Sequence, residues 1–152
     1  MPVRIGLRCG LGWLFVVSAP AFAAPPMLPP GPYVGPGQST TDVLQVAPSG
    51  KTAILGATPV PAGVLLTPAI VRETASLRHG AYAGTLRPKS GRVVLTLQGR
   101  SKANPHVPCR YVLTPAHGGW RMHSDSPACA RYRGFSWGFS TGAGVLRPYV
   151  PQ

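Results

Sequence analysis

Acidic residues are scarce in this 152-residue chain, which has three Asp and Glu residues against 15 Lys and Arg residues. Glycosidases usually need two carboxylates that flank the scissile bond, and sites for hard cations need several oxygen ligands. The three acids, Asp42, Glu73 and Asp125, are far apart in the sequence. Their scarcity argues against both a glycosidase and a calcium- or magnesium-binding protein.

Catalytic and metal-binding patterns are also few. A Ser-His-acid triad would have only the same three acids to draw on. His106, His117 and His123 fall in one short region, but no H-x-x-x-H spacing or acid cluster accompanies them. Metal sites usually show such spacing and such supporting acids. We therefore predict no metal site and no cofactor.

One uninterrupted apolar run lies near the N-terminus. Arg4 and Arg8 precede an apolar run at residues 11–17, and an Ala-Phe-Ala motif follows at residues 21–23. This order of basic region, short apolar core and A-x-A site is typical of a cleavable export signal. The run is much shorter than the ~20 residues that span a bilayer. We predict a signal peptide at residues 1–23 and a periplasmic or secreted protein.

Cleavage of the signal would remove Cys9 and leave two cysteines, Cys109 and Cys129. An even number of cysteines in an exported chain favours a disulfide. No C-x-x-C spacing indicates a redox couple. The sequence therefore predicts a structural Cys109–Cys129 bridge.

The chain after the signal divides into two parts by composition. Residues 24–40 contain six prolines and three glycines, which disfavour both helices and sheet ladders. We predict a semi-extended tether there and a single β-rich domain over residues 41–152.

The first predicted hairpin pairs residues 82–87 with residues 92–97 around a four-residue loop at 88–91. Arg87 lies opposite Arg92 in this register. The pairing puts apolar side chains on one face and mixed ones on the other, as a half-buried antiparallel pair requires. The apolar face holds Tyr82, Gly84, Leu86, Val93, Leu95 and Leu97.

The second predicted hairpin joins residues 109–114 to residues 119–124 around a loop at 115–118, with Thr114 opposite Gly119. This register places Leu113 opposite Trp120, Tyr111 opposite Met122, Arg110 opposite His123 and Val112 opposite Arg121. Cys109 lies on the same apolar face as Tyr111, and the charged residues lie on the outer face.

Weaker patterns complete the fold prediction. They indicate a hairpin that turns at residues 48–51, an aromatic strand at residues 131–140 and a short strand from Val145. Residues 70–78 are the best candidate for a short helix, although Val71, Thr74 and an alternating pattern suit a strand as well. We predict an all-β or mainly β fold, built as a small antiparallel sandwich or a partly closed barrel of hairpins with one disulfide.

The net charge of +12 indicates an anionic partner, such as a polyanion, a lipid head group, an acidic glycan or an acidic protein. Arginine binds phosphate and carboxylate groups in a bidentate geometry. Arg131 and Arg133 also precede the alternating aromatic residues of the 131–140 segment. The predicted contacts are Arg87, Arg92, Arg110, Arg121, Arg131 and Arg133.

The interpretation that we favour is a non-enzymatic, exported binding module. One alternative is a metal-independent ribonuclease that uses His117 and His123 as acid and base, with Arg110 and Arg121 stabilising the phosphorane. Another is a structural component of an envelope or secretion assembly, held by the proline-rich arm.

Overall fold

The computed structural model describes residues 27–37, 40–61, 63–98, 108–124, 129 and 144–152. They form a closed barrel of eight antiparallel strands with one short helix on its outer wall. The elements in chain order are β1 (Gly31–Pro36), β2 (Thr41–Val46), β3 (Thr52–Thr58), α1 (Pro68–Thr74), a 3₁₀ turn (Leu77–His79), β4 (Tyr82–Lys89), β5 (Arg92–Leu97), β6 (Cys109–Ala116), β7 (Gly119–Ser124) and β8 (Val145–Pro148).

The sheet is an up-and-down barrel, in which each strand pairs with the next one in the sequence. The last strand then returns to the first, with Tyr33 opposite Pro148 and Val34 opposite Arg147. The prediction of a mainly β fold with one disulfide is confirmed, and the barrel is fully closed. A bond joins Cys109 to Cys129, as predicted.

Strict alternation along the strands fills the barrel with side chains. Inward residues are two apart on each strand, and a barrel of eight strands is just wide enough for side chains to fill. Leu44, Leu55, Leu95, Leu113 and Leu146 are each fully buried in this interior. They belong to one apolar cluster that also includes Tyr33, Val46, Ala53, Leu86, Val93, Leu97, Cys109, Tyr111 and Met122.

Both predicted hairpins exist with the predicted faces, but each register is shifted by two residues. Lys89 lies opposite Arg92, so the predicted Arg87–Arg92 pair is wrong. Ala116 lies opposite Gly119 in the second hairpin, so the Thr114–Gly119 pair is also wrong. A shift by two keeps every side chain on its face, because strand side chains alternate with a period of two.

The same shift replaces the other predicted pairs of the second hairpin. Met122 lies opposite Leu113 and Ser124 opposite Tyr111, whereas Trp120 lies opposite Pro115. On the outer face, Val112 lies opposite His123 and Thr114 opposite Arg121, so Arg110 does not pair with His123.

The shift arises because both connections are two-residue turns rather than four-residue loops. Ser90 and Gly91 have φ angles of 50° and 75°, and two positive φ values define the type I′ turn that matches the twist of a hairpin. In the second turn Gly118 has a φ of 72°. Pro88 and Pro115 therefore lie at the ends of strands instead of starting a loop. The hairpin turn at residues 48–51 is confirmed, since the Ala47 N–H donates to the Thr52 carbonyl at 2.9 Å.

The prediction of a tether over residues 24–40 is wrong for Gly31–Pro36, which is β1 of the barrel. It pairs with β2 along its whole length, from Gly31 opposite Val46 to Pro36 opposite Thr41. Just before it, Leu28 is buried in the core cluster, and the Tyr33 hydroxyl donates to the Pro29 carbonyl at 2.8 Å. The folded domain therefore begins well before residue 41.

The prolines of β1 are tolerated because of where their missing N–H groups fall. The Pro32 carbonyl accepts from the Tyr149 N–H at 2.8 Å, so backbone groups of even-numbered residues in β1 face β8. Pro36 is also even-numbered, so its missing N–H faces away from β2. The hydrogen bonds to β2 are then made by the odd-numbered residues of β1. The β1–β8 pairing consists of Tyr33 with Pro148 and Val34 with Arg147, and both prolines of β1 lie outside these two pairs. A missing N–H donor at these positions therefore removes little of the sheet hydrogen bonding.

The predicted short helix is confirmed with earlier bounds, as α1. Thr67 caps it by accepting from the Ile70 N–H at 3.2 Å, and Pro68 occupies the first turn. Val71 and Ala75 pack on outward Val43 of β2, which forms a second apolar cluster outside the barrel. Gly56 of β3 permits this approach, because a Cβ there would collide with the Thr74 carbonyl.

A candidate anion-binding face on strands β4 to β7

Five cationic side chains lie on one outer face of the barrel, which we call the basic face. The alternation that turns leucines and valines inward on β4 to β7 turns these five outward. All five are exposed: Arg87, Lys89, Arg92, Arg110 and Arg121. The sequence predicted four of the five as contacts but divided them between two hairpins.

The strand registers show that the two hairpins form one continuous surface. β5 pairs with β6, which places Val94 opposite Val112 and Thr96 opposite Arg110. Neighbouring strands lie about 4.8 Å apart, so the four strands span roughly 14 Å across the face. Because these four strands also curve around the wall of a closed barrel, a ligand that contacts the cations of both hairpins must be long enough to follow that curvature.

A shallow pocket of about 390 Å³ lies on the basic face, near the turn that joins β4 to β5. Val94 and Val112 line it together with Lys89, Ser90 and Arg92. Lys89 and Arg92 lie directly opposite each other across the β4–β5 hairpin. Like charges in that position repel, and a bound anion would relieve the repulsion.

No carboxylate in the described part of the chain neutralises this face. Asp42 lies inside the barrel, and Glu73 is on α1, which packs against β2 and β3. Asp125 lies outside the described residues. Exposed cations that share one wall of the barrel favour negatively charged groups.

The two histidines of the ribonuclease alternative do not share one site. His117 lies in the β6–β7 turn, whereas His123 is near the far end of β7. At about 3.4 Å per residue, Gly119 and His123 are already roughly 13 Å apart along the strand. An acid and a base must each reach hydrogen-bond distance of the reacting group, so this separation does not favour catalysis by the pair.

Several predicted features lie outside the described residues. They are the signal peptide, His106, the aromatic strand at 131–140, and the contacts Arg131 and Arg133. Residues 134–138 also read Gly-Phe-Ser-Trp-Gly, a G-x-S-x-G pattern. That pattern presents a nucleophile at the strand-to-helix turn of an α/β sheet, and in this chain it lies outside the described residues.

One buried acid was not singled out from the sequence. Asp42 is fully buried and has the parity of Leu44 and Val46 on β2, so it lies on the inner side of the barrel. Its neighbours across the sheet are small, Gly35 on β1 and Ala57 on β3. The sequence signal that could have revealed its position is that Asp42, Leu44 and Val46 are spaced two residues apart, so they face the same side of a strand.

The Asp42 carboxyl has little hydrogen bonding to compensate for its burial. Thr40 Oγ1 donates to Asp42 Oδ1 at 3.1 Å, while Oδ2 has no hydrogen-bond partner among the described residues. Burial raises the pKa of Asp42 from 3.8 to about 7, against the opposing effect of the Thr40 hydrogen bond. The group therefore changes its protonation near neutral pH inside an apolar barrel.

The described residues hold no group of three or more side chains suited to binding a metal ion. Within the same residues, no helix has the length and apolar character needed to cross a membrane. Comparison with protein-family models, with curated proteins and with solved structures finds no match to this chain. The geometry of the barrel and its basic face is therefore the basis for assigning a function.

Proposed function

We propose that this protein is an exported, non-enzymatic module that binds a polyanion through its basic face. The observation that carries the proposal is the placement of Arg87, Lys89, Arg92, Arg110 and Arg121 on one continuous outer surface. No described acid lies among them. Arginine outnumbers lysine in this set, and its planar fork suits phosphate and sulfate groups.

The character of the face favours a phosphate- or sulfate-bearing polymer over a membrane. Among the described residues, the large apolar side chains that are exposed are Met27, Val64, Leu65, Leu77 and Val150, and none of them is on β4 to β7. The face thus offers nothing to insert into acyl chains. It also presents no described Phe, Tyr or Trp side chain for stacking on bases, so we expect contacts with the charged backbone rather than with the bases.

The test is binding to heparin and to single-stranded RNA, at low and at physiological salt. Affinity should fall steeply with salt, because bound cations displace condensed counterions from the polymer. The double variant Arg92→Gln/Arg121→Gln should weaken binding and reduce the slope of log affinity against log salt by about 1 to 2. Heparin binding alone would indicate a sulfated glycan, and RNA binding with equal affinity would indicate recognition of charge alone.

A second double variant, with the same net charge as Arg92→Gln/Arg121→Gln, is the matched control. Arg72→Gln/Arg78→Gln removes two exposed arginines from α1 and the adjoining 3₁₀ turn, away from β4 to β7. This control should bind almost as well as the unaltered protein. Equal losses in the two double variants, or no binding to either polymer at low salt, would refute the basic face as the binding site.

A further inference from the structure

A second concave site lies on another wall of the barrel. It is a groove of about 670 Å³ over the outer side of β1 and β8. Its floor is formed by β1 and β8, which contribute Val34 and Val145. Its walls are formed by residues 63–68, before α1, and by the residues that follow β8. Pockets of about 300–1,000 Å³ with mostly apolar walls are typical of small-molecule sites.

Hydrogen bonds hold two parts of the groove lining in place. The Tyr149 hydroxyl donates to the Leu66 carbonyl at 2.7 Å, which ties the residues after β8 to the loop before α1. The Tyr149 N–H donates to the Pro32 carbonyl of β1 at 2.8 Å. These hydrogen bonds fix the two parts of the lining relative to each other, so binding would need little ordering of the chain.

The groove also gathers exposed apolar side chains. Val64, Leu65 and Val150 are 54%, 69% and 73% exposed, and all three line it. Only five large apolar residues are exposed in the described part of the chain, so three of them meet at one concavity. Such clusters on a soluble domain commonly mark a binding site.

Arg147 supplies the charge at this site. It is the one cationic side chain among the described residues that line the groove, and none of those residues is Asp or Glu. Its Nη1 donates to the His117 carbonyl at 3.1 Å, which restrains the guanidinium at the edge of the groove, beside the β6–β7 turn. A guanidinium carries five N–H donors, so this hydrogen bond leaves others for an anionic group.

We propose that the groove binds a small amphipathic anion, with its apolar body against Val64, Leu65 and Val150 and its acid group on Arg147. The volume suits a ligand of drug or lipid-fragment size rather than a folded partner. This site lies on β1 and β8, whereas the basic face lies on β4 to β7, so the two proposals stand independently.

The test uses two fluorescent probes with the same apolar body. Anilinonaphthalenesulfonate carries an acid group, and N-phenylnaphthylamine is neutral. We expect both to bind, the sulfonate more tightly. Arg147→Gln should weaken the sulfonate about tenfold and change the neutral probe less than about twofold, because only the former uses a charged hydrogen bond.

A second variant tests the apolar walls. Leu65→Ser/Val150→Ser should weaken both probes by about fivefold or more, since both lose buried apolar contact. These side chains are largely exposed, so the fold should tolerate the change. Leu77→Ser, at an exposed leucine outside the groove, and Arg78→Gln, at an exposed arginine of the same 3₁₀ turn, are the matched controls and should leave both affinities unchanged.

Three results would overturn the proposal. The first is a failure of either probe to saturate the protein. The second is an unchanged affinity in Leu65→Ser/Val150→Ser, which would place the probes elsewhere. The third is an equal effect of Arg147→Gln on the two probes, which would show that Arg147 does not bind the acid group.

Discussion

The buried carboxyl of Asp42 should make the stability of the barrel depend on pH in an unusual direction. Its pKa is about 7 in the folded protein, against an ordinary value of 3.8. The folded state therefore holds a proton that the unfolded chain has released throughout the interval between these values. The free energy of unfolding should fall as pH rises through that interval and should level off above about pH 7.

The size of the effect follows from the two pKa values. Each tenfold difference in proton affinity is worth about 1.4 kcal/mol, so the titration of Asp42 can lower stability by up to about 4 kcal/mol between about pH 4 and pH 8. This is a large part of the roughly 5–15 kcal/mol that stabilises a typical domain.

The variant Asp42→Asn isolates this contribution. Its amide has its own hydrogen-bonding cost, but that offset does not depend on pH. The difference in unfolding free energy, variant minus unaltered protein, should therefore increase by up to about 4 kcal/mol from about pH 4 to pH 8. Urea denaturation followed by tryptophan fluorescence, with the disulfide intact, measures it.

Two further variants make the test specific. Leu113→Ala removes no titratable group, so its difference from the unaltered protein should stay nearly constant with pH. Thr40→Val removes the hydrogen bond that lowers the Asp42 pKa, so the loss of stability should extend to higher pH. A constant difference for Asp42→Asn across the range would refute a raised pKa in the folded state.

Two other predictions concern the core and the processing of the chain. Leu113→Ala should cost about 2–5 kcal/mol in urea denaturation, because it leaves a cavity in the barrel, whereas Arg121→Gln on the outer face should cost little; the reverse ranking would contradict the assignment of faces. The protein isolated from its host should begin at Ala24, with a mass lower by two hydrogens for the Cys109–Cys129 bond, and a full-length reduced product in the cytoplasm would contradict export.

Side-chain alternation was the most informative part of the sequence. Leu86, Val93, Leu95, Leu113 and Met122 are buried as predicted, since a period of two fixes which face each residue joins. Alternation alone does not predict which residues of two neighbouring strands lie opposite each other. Registers that differ by two residues give the same faces, and turn geometry decides between them. The prolines before each turn favoured the longer loop, although the positive φ angles of Ser90, Gly91 and Gly118 close a shorter one.

β1 and the basic face show what local composition cannot predict. The proline content of residues 24–40 argued against a strand, but the position of each missing N–H depends on which neighbour it faces. The continuity of the basic face likewise depends on the pairing of β5 with β6, which joins two hairpins that the sequence presents separately. Non-local pairing of this kind leaves no pattern within either segment.

The closure of the barrel has a consequence for the order in which the chain becomes available to fold. Seven strand pairings join neighbours in the sequence, but the eighth joins residue 33 to residue 148. A chain that emerges from its N-terminus, at the ribosome or through an export channel, can thus form an open sheet but cannot close it until β8 has appeared. Until then the outer edges of β1 and β7 both stay unpaired, and unpaired edges are templates for association between chains. Four residues, Val145–Pro148, cover both edges at once.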